Sequence, residues 1–249
     1  MILEVVYLLA LSAIGLCLLS RNISDLGSVL AGGAAFPVGL GLMTLIQLVL
    51  AMVNIKLGVV TLWIVVLMLL GASATWAFLR RPDSWRPAML AGAVGAAAIV
   101  AVAVFQMALH ASVLSYDSFD YLVVASNLYR PDTSISSDAI AGFLSNYAPL
   151  LWLAHAPARL FGQEFLFLLH PLIFLTLLLT TCGLVEVCTR ASEASRPVRI
   201  AAILAPALVL LTTPQIIHHA VYIMPNLITG LMLTAAIACL WIADQRKAW

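Results

Sequence analysis

Long apolar stretches separated by short polar segments run through almost the whole chain. Several of these stretches exceed the roughly 20 residues that a helix needs to cross the hydrocarbon core of a bilayer. The pattern therefore predicts an all-α, polytopic membrane protein with about seven transmembrane helices. The predicted spans cover residues 2–20, 28–53, 58–79, 88–110, 165–187, 199–213 and 216–243.

Composition supports this class of protein and excludes others. Of the 249 residues, 63% are hydrophobic and only 9% are charged, far outside the range of a soluble domain. The net charge of +1, without a basic block or tail, argues against nucleic acid as a partner. The four cysteines lie in or at the ends of apolar runs, so we expect neither a disulfide nor a zinc site.

Basic residues set the predicted orientation. With Arg21, the segments "LRRPDSWRP", "TRASEASRPVR" and "DQRKAW" contain nine of the twelve lysines and arginines. Placing these segments inside puts the N-terminus outside and the C-terminus in the cytoplasm, in a membrane of the bacterial inner-membrane type. The first apolar run lacks a basic n-region and carries Glu4, so we interpret it as a retained helix and not as a signal peptide. Small residues in "AGGAAFPVGLG" and "LAGAVGAAA" predict close helix packing.

One connection, residues 111–164 on the predicted outer side, is far longer than the others. Loops of this length are usually functional or disordered. The stretch "YDSFDYLVVASNLY" predicts one loop helix, and residues 139–161 predict a second helix lying at the membrane interface. The sixth span is short and contains Pro206, so we expect "TTPQ" to end it below the outer surface.

The titratable side chains collect on the outer side of this topology. All five histidines fall there, at positions 110, 155, 170, 218 and 219. Each one alone is compatible with an ordinary interfacial residue, but together they suggest an outward-facing polar pocket. Asp117 and Asp120 share one helix face, a spacing that suits metal binding or general-base chemistry. The alternative is a solvated loop helix whose N-terminal acid complements the helix dipole.

The order of these motifs resembles the GT-C class of membrane glycosyltransferases, which use polyprenyl-phosphate sugars. In that class an acidic residue opens the first large outer loop, a tyrosine follows about four positions later, and a "Y-x-P-L" stretch and a glycine come further on. Asp117 to Tyr121, Tyr147 with Pro149 and Leu150, and Gly162 fit this layout, within residues 88–245.

The resemblance implies a mechanism. Asp117, with Asp120 as the second candidate, would take the proton of the acceptor hydroxyl or bind a divalent cation, Mg²⁺ or Mn²⁺. The leaving lipid phosphate needs positive charge around it. The residues that would bind this substrate are Tyr121, Tyr147, Arg130, Arg159, His155, His170, His218 and His219.

Two further hypotheses belong to other functional classes. The helical core of GT-C enzymes is longer than the four spans that this chain provides from residue 88 onward. We therefore divide the chain into an N-terminal three-helix segment, 1–87, and a partial GT-C-like core, 88–249. A non-catalytic subunit with a degenerate GT-C-like fold is the alternative, and a transporter or channel is the third hypothesis. The expected partners are membrane lipid, the lipid-phosphate sugar donor, and another membrane chain or a second copy packed against the last three spans.

Overall fold

The computed structural model describes residues 1–53, 55, 58–80, 85–109, 153–163, 165–190, 194–221 and 225–247. Within these residues the chain is helical and contains no strand, which confirms the predicted all-α class. The α-helices are α1 (Ile2–Leu19), α2 (Ile23–Met52), α3 (Val59–Arg80), α4 (Trp85–Leu109), α5 (Leu169–Thr189), α6 (Arg196–Thr212), α7 (Pro214–Val221) and α8 (Pro225–Lys247). Two 3-10 helices cover Ser20–Asn22 and Ala156–Phe161.

Four described stretches are long and apolar enough to cross a membrane, which supports the prediction of a membrane protein. They are Ile2–Leu50, Val59–Leu79, Trp85–Ala108 and Leu169–Thr189, and a shorter apolar helix covers Leu227–Ala238. The first stretch contains both α1 and α2, which run antiparallel because Gly15 lies against Ala35 and Gly39 lies against Leu11. The count of seven crossings and the orientation of the termini stay predictions.

Helix α2 lies at the centre of the bundle and packs against α1, α4, α5 and α8. Its small residues allow the close approach that their clustering predicted. A Cβ atom at Gly33 would lie 2.7 Å from the backbone nitrogen of Thr180 on α5, and one at Gly32 would lie 2.7 Å from the Ala91 carbonyl oxygen on α4. A larger residue at either position would therefore push α2 away from its neighbours.

The larger of two hydrophobic clusters among the described residues runs across the predicted boundary at residue 87. It joins side chains of α1 to α5, of α8 and of the 3-10 helix Ala156–Phe161. The fully buried members include Tyr7, Phe36, Leu62, Ile99 and Leu172. The first three helices therefore provide part of the wall around the elements that follow the long loop.

Two predicted spans differ from the structure where prolines occur. The fifth span was predicted from residue 165, but α5 begins at Leu169 because Pro171 has no N–H and fits only the first turn of a helix. The predicted seventh span, 216–243, contains the end of α7 at Val221 and the start of α8 at Pro225. Proline is favoured at a helix start, where an N–H would have no intrahelical partner. The break predicted at "TTPQ" is confirmed, since Thr213 is extended between α6 and α7.

Candidate functional site at the loop end of the bundle

Helices α4 and α5 meet at one end of the bundle, which we call the loop end. Helix α4 ends there at Leu109, and α5 begins there at Leu169 after the described segment 153–163. A non-helical stretch, the return turn of residues 163 and 165–168, leads into α5. Irregular backbone inside an apolar bundle must have its polar groups satisfied by other protein groups. The side chains that do this define the candidate site.

The carbonyl of Phe167 has no helical hydrogen-bond donor. In a continuous helix this oxygen would accept the N–H of residue 171, but residue 171 is a proline. The side-chain amide of Gln106, on the last turn of α4, donates to it instead through Nε2 at 3.0 Å. Gln106 thus supplies the hydrogen bond that Pro171 cannot make.

The N–H of Leu168 donates to a side chain from the start of the sequence. Glu4 on α1 is fully buried, and its Oε1 atom accepts this N–H at 2.6 Å. The side chain of Gln163 also hydrogen-bonds the Glu4 carboxylate. Leu168 is the N-cap of α5, where N–H groups have no intrahelical acceptor and the helix dipole favours an anion. Glu4 therefore caps a helix that lies 164 residues away in the chain.

His155 satisfies the third backbone group of the turn. Its Nδ1 atom accepts the N–H of Leu166 at 3.2 Å, so in the neutral ring the hydrogen must be on Nε2. The imidazole stacks on that of His170 on α5, with ring centroids 5.3 Å apart and an angle of 11° between the planes. Both side chains are buried. Three side chains from separate parts of the chain thus hold residues 166–168; we call Glu4, Gln106 and His155 the turn clamp.

The environment of His155 determines its charge. Burial lowers the pKa of His155 well below its usual value of 6.5, and repulsion from a charged His170 lowers it further. The ring is therefore neutral at neutral pH. A neutral, buried imidazole with Nδ1 already in use is suited to holding the return turn, and it offers no positive charge to a phosphate.

An aromatic cluster of Tyr7, Trp63 and Phe161 lies beside the turn clamp. The ring centroids of Tyr7 and Phe161 are 5.7 Å apart and those of Trp63 and Phe161 are 6.3 Å apart. The hydroxyl of Tyr7 also lies 3.5 Å from Nε2 of Gln47 on α2. The cluster packs the 3-10 helix Ala156–Phe161 against α1 and α3, and so fixes the segment that carries Arg159.

Arg159 and His155 are the two predicted site residues of the loop whose side chains the structure describes. The Arg159 side chain is exposed on the 3-10 helix, whereas residues 153–158 are buried by protein. A helix lying at the membrane interface would expose one face, so this end of the predicted segment 139–161 packs differently from the expectation. Gly162 ends the 3-10 helix with a φ of 72°, a left-handed conformation that glycine adopts without strain.

The other predicted site residues are distributed as follows. His170 stacks on His155, while His218 and His219 lie on α7. The remaining ones lie outside the described residues: Asp117, Asp120, Tyr121, Arg130 and Tyr147. Within the described part of the chain, no group of three or more His, Cys, Asp or Glu side chains could hold a metal ion. The tentative metal ligands Asp117 and Asp120 are not part of that search, so the cation stays a prediction.

Sequence reasoning missed Glu4 and Gln106 as parts of this site. The signal for Glu4 is a single carboxylate inside an apolar predicted span, where an ionisable group is costly unless it has a partner. Gln106 is likewise a lone amide near the end of an apolar helix. Their partners are backbone groups of residues 167 and 168, which no local pattern identifies.

No protein-family model, curated protein or solved structure matches this chain. The resemblance to the GT-C class stays a prediction from the motifs of the long loop.

Proposed function

We propose that this protein is a membrane glycosyltransferase of the GT-C type, which transfers a hexose or pentose from a polyprenyl-phosphate donor at the outer face of the membrane. The donor binds at the loop end, and Asp117 is the general base, with Asp120 beside it on the same predicted helix face.

The observation that carries this proposal is the construction of the return turn. The turn clamp draws side chains from α1, from α4 and from the loop itself to hold three consecutive residues before α5. A long loop that served only as a linker would not require buried polar side chains at its point of return. Such buried polar groups are costly in a bilayer and concentrate where a membrane protein has a function.

The charges in the described part of the site favour one residue for contact with phosphate. The donor's leaving group is a lipid phosphate, and its developing negative charge is stabilised by a guanidinium, which can bind it through two parallel hydrogen bonds. The side chain of Arg159 is exposed and lies next to the buried segment 153–158. His155 is neutral and engaged with Leu166. Arg159 therefore contacts the phosphate, and His155 supports the segment that presents it.

The test compares two aspartates of the same loop. Asp117→Asn should lower sugar transfer by at least about a hundredfold, the usual contribution of a general base. Asp132→Asn, which removes a carboxylate outside the motif, should leave transfer within a few-fold of wild type. The measurement is the consumption of labelled polyprenyl-phosphate hexose and pentose donors by membranes that contain each variant. Equal rates for Asp117→Asn and wild type would refute the catalytic role.

A non-catalytic subunit is the second candidate, and one observation favours it. None of the 17 residues of α6 is buried in the described structure, although the helix is rich in apolar side chains such as Leu204, Leu208 and Leu211. A second copy or another membrane chain packed there would cover this face. Wild-type membranes that consume no donor, with the chain co-purifying in mild detergent with another protein, would favour this candidate over the enzyme.

A further inference from the structure

Glu4 combines two properties that are costly in the same residue. It is a carboxylate, and it has no exposure to solvent. Removing an ionisable group from water is unfavourable unless other polar groups replace the lost water. Hydrogen bonds to specific groups replace the lost water at Glu4. Its Oε1 atom accepts the Leu168 N–H at 2.6 Å, and the Gln163 side chain hydrogen-bonds the same carboxyl group. Both partners belong to the return turn.

The contact with Leu168 also joins the first helix to the point where the long loop returns. Helix α1 is held in the bundle by its close packing against α2, where Gly39 lies against the backbone of Leu11. Glu4 lies about two turns before Leu11 on the same helix, so its position is set by a rigid element. In the return turn, in contrast, the carbonyl of Phe167 and the N–H of Leu168 have side-chain partners, Gln106 and Glu4, in place of helical ones.

We infer that Glu4 is a positioning residue, which holds the return turn in register and thereby fixes the buried histidine pair and the segment that presents Arg159. The catalytic consequence of this role rests on the proposed function. Glu4 reaches no substrate itself because it is buried. Its effect passes through Leu168 and Gln163 to residues 155–161, which carry the exposed guanidinium.

Two substitutions separate this role from a general effect on folding. Glu4→Leu removes the hydrogen-bond acceptor and puts an apolar side chain of similar size in its place. Glu4→Gln keeps a carbonyl oxygen at the same position and can still accept the Leu168 N–H. Glu186→Gln serves as the matched control, since it neutralises an acid on α5 that lies about one-third exposed.

The first measurement is hydrogen exchange of the backbone amides of residues 165–170 in purified protein in lipid nanodiscs, which requires no substrate. Glu4→Leu should exchange there about tenfold faster than wild type, as expected for the loss of one buried hydrogen bond. Glu4→Gln and Glu186→Gln should stay within about threefold of wild type. Unchanged exchange in Glu4→Leu overturns the inference, whatever the activity of the protein. If Glu4→Leu is not recovered as folded protein, Glu4→Asp, which is one methylene shorter, takes its place with the same direction of change.

The second measurement is donor turnover by the same variants, split into kcat and KM. Glu4→Leu should lower kcat by about tenfold to a hundredfold through misplacement of the segment 155–161, with rescue in Glu4→Gln. Faster exchange with unchanged kcat overturns the positioning role. A wild-type protein that consumes no donor contradicts the proposed function instead, and the exchange data then still decide whether Glu4 anchors the turn.

Discussion

Each end of the bundle has a hydrogen bond between a side chain and a backbone group that is distant in sequence. The bond is buried at one end and exposed at the other. At the loop end, Glu4 bonds the backbone of Leu168 across 164 residues. At the other end, which we call the Arg190 end, Nη1 of Arg190, the C-cap residue of α5, donates to the carbonyl of Asp25 across 165 residues, at 3.1 Å. The first contact connects α1 to the start of α5, and the second connects α2 to its end. Glu4 is fully buried, whereas the Arg190 side chain is 36% exposed.

This difference in burial determines how much each contact contributes to the stability of the fold. A second partner of Arg190, the carboxylate of Glu186 at 3.3 Å, forms an exposed pair spaced four residues apart on α5. Such pairs are worth only about 0.3–0.5 kcal/mol, because water competes for both charges. The N–H groups of Leu166 and Leu168 belong to fully buried residues, so neither has water to replace a lost partner. The Arg190 end therefore adjusts to change, and the loop end does not.

The Arg190 end nevertheless imposes one local restriction. Gly27, between the two parts of α2, has a φ of 73°, and a Cβ atom there would overlap the guanidinium of Arg190. The left-handed backbone therefore favours glycine here, whereas the flexible end of the arginine side chain can move aside. The restriction concerns the shape of a turn at the surface, whereas the turn clamp concerns the satisfaction of buried polar groups.

The largest expected effect distinguishes the two ends by stability. Gln106→Leu removes the donor to the Phe167 carbonyl and should lower the free energy of unfolding by about 1 kcal/mol, since Pro171 leaves that carbonyl without a helical donor. Glu186→Gln at the Arg190 end should cost less than about 0.5 kcal/mol. Unfolding of the purified variants in mixed detergent, followed by circular dichroism, gives both values. Equal losses of unfolding free energy in the two variants would contradict the larger stability contribution assigned to the loop end.

A smaller effect follows from the charge of His155. Its pKa in the folded protein lies well below 6.5, whereas in the unfolded chain it returns to about that value. The unfolded state therefore binds the proton more readily. The stability that depends on a neutral His155 is complete above about pH 6.5 and falls below it by at most about 1.4 kcal/mol per pH unit.

His155→Asn tests this pH dependence, because asparagine can accept the Leu166 N–H through its side-chain oxygen but does not titrate. Between pH 6.5 and 5, the unfolding free energy of this variant should fall less steeply than that of wild type. Parallel pH profiles for the two proteins would show that His155 is not held neutral by its surroundings.

The sequence predicted the helices well where apolar length alone defines them. Predicted spans 2–20, 58–79 and 88–110 lie within a few residues of α1, α3 and α4. The prediction failed at the start of the fifth span, because residues 165–168 are as apolar as the helix that follows and only Pro171 marks the change. The separation of α7 from α8 depends similarly on a single proline, Pro225.

The candidate site was only partly predictable, for a physical reason. His155, His170 and Arg159 were selected from the sequence because titratable side chains are rare in an apolar chain. The turn clamp could not be found in this way, since Glu4 and Gln106 act on backbone atoms, and every residue carries the same backbone groups. Which of them lack a partner becomes visible only when helix starts and prolines are known in three dimensions. A lone carboxylate in an apolar helix is the one signal that points to such a contact in advance.

The central proposal is that the loop end faces outward and carries the function, while the Arg190 end faces the cytoplasm. The most direct test is the reaction of single cysteines with a membrane-impermeant thiol reagent added to intact cells, in a chain whose four native cysteines are replaced by serine or alanine. Ser134→Cys, in the long loop, should be labelled from outside. Ser192→Cys, two residues beyond Arg190, should be labelled only after the membrane is permeabilised. Labelling of Ser192→Cys in intact cells, with Ser134→Cys protected, would contradict the orientation and the proposed site with it.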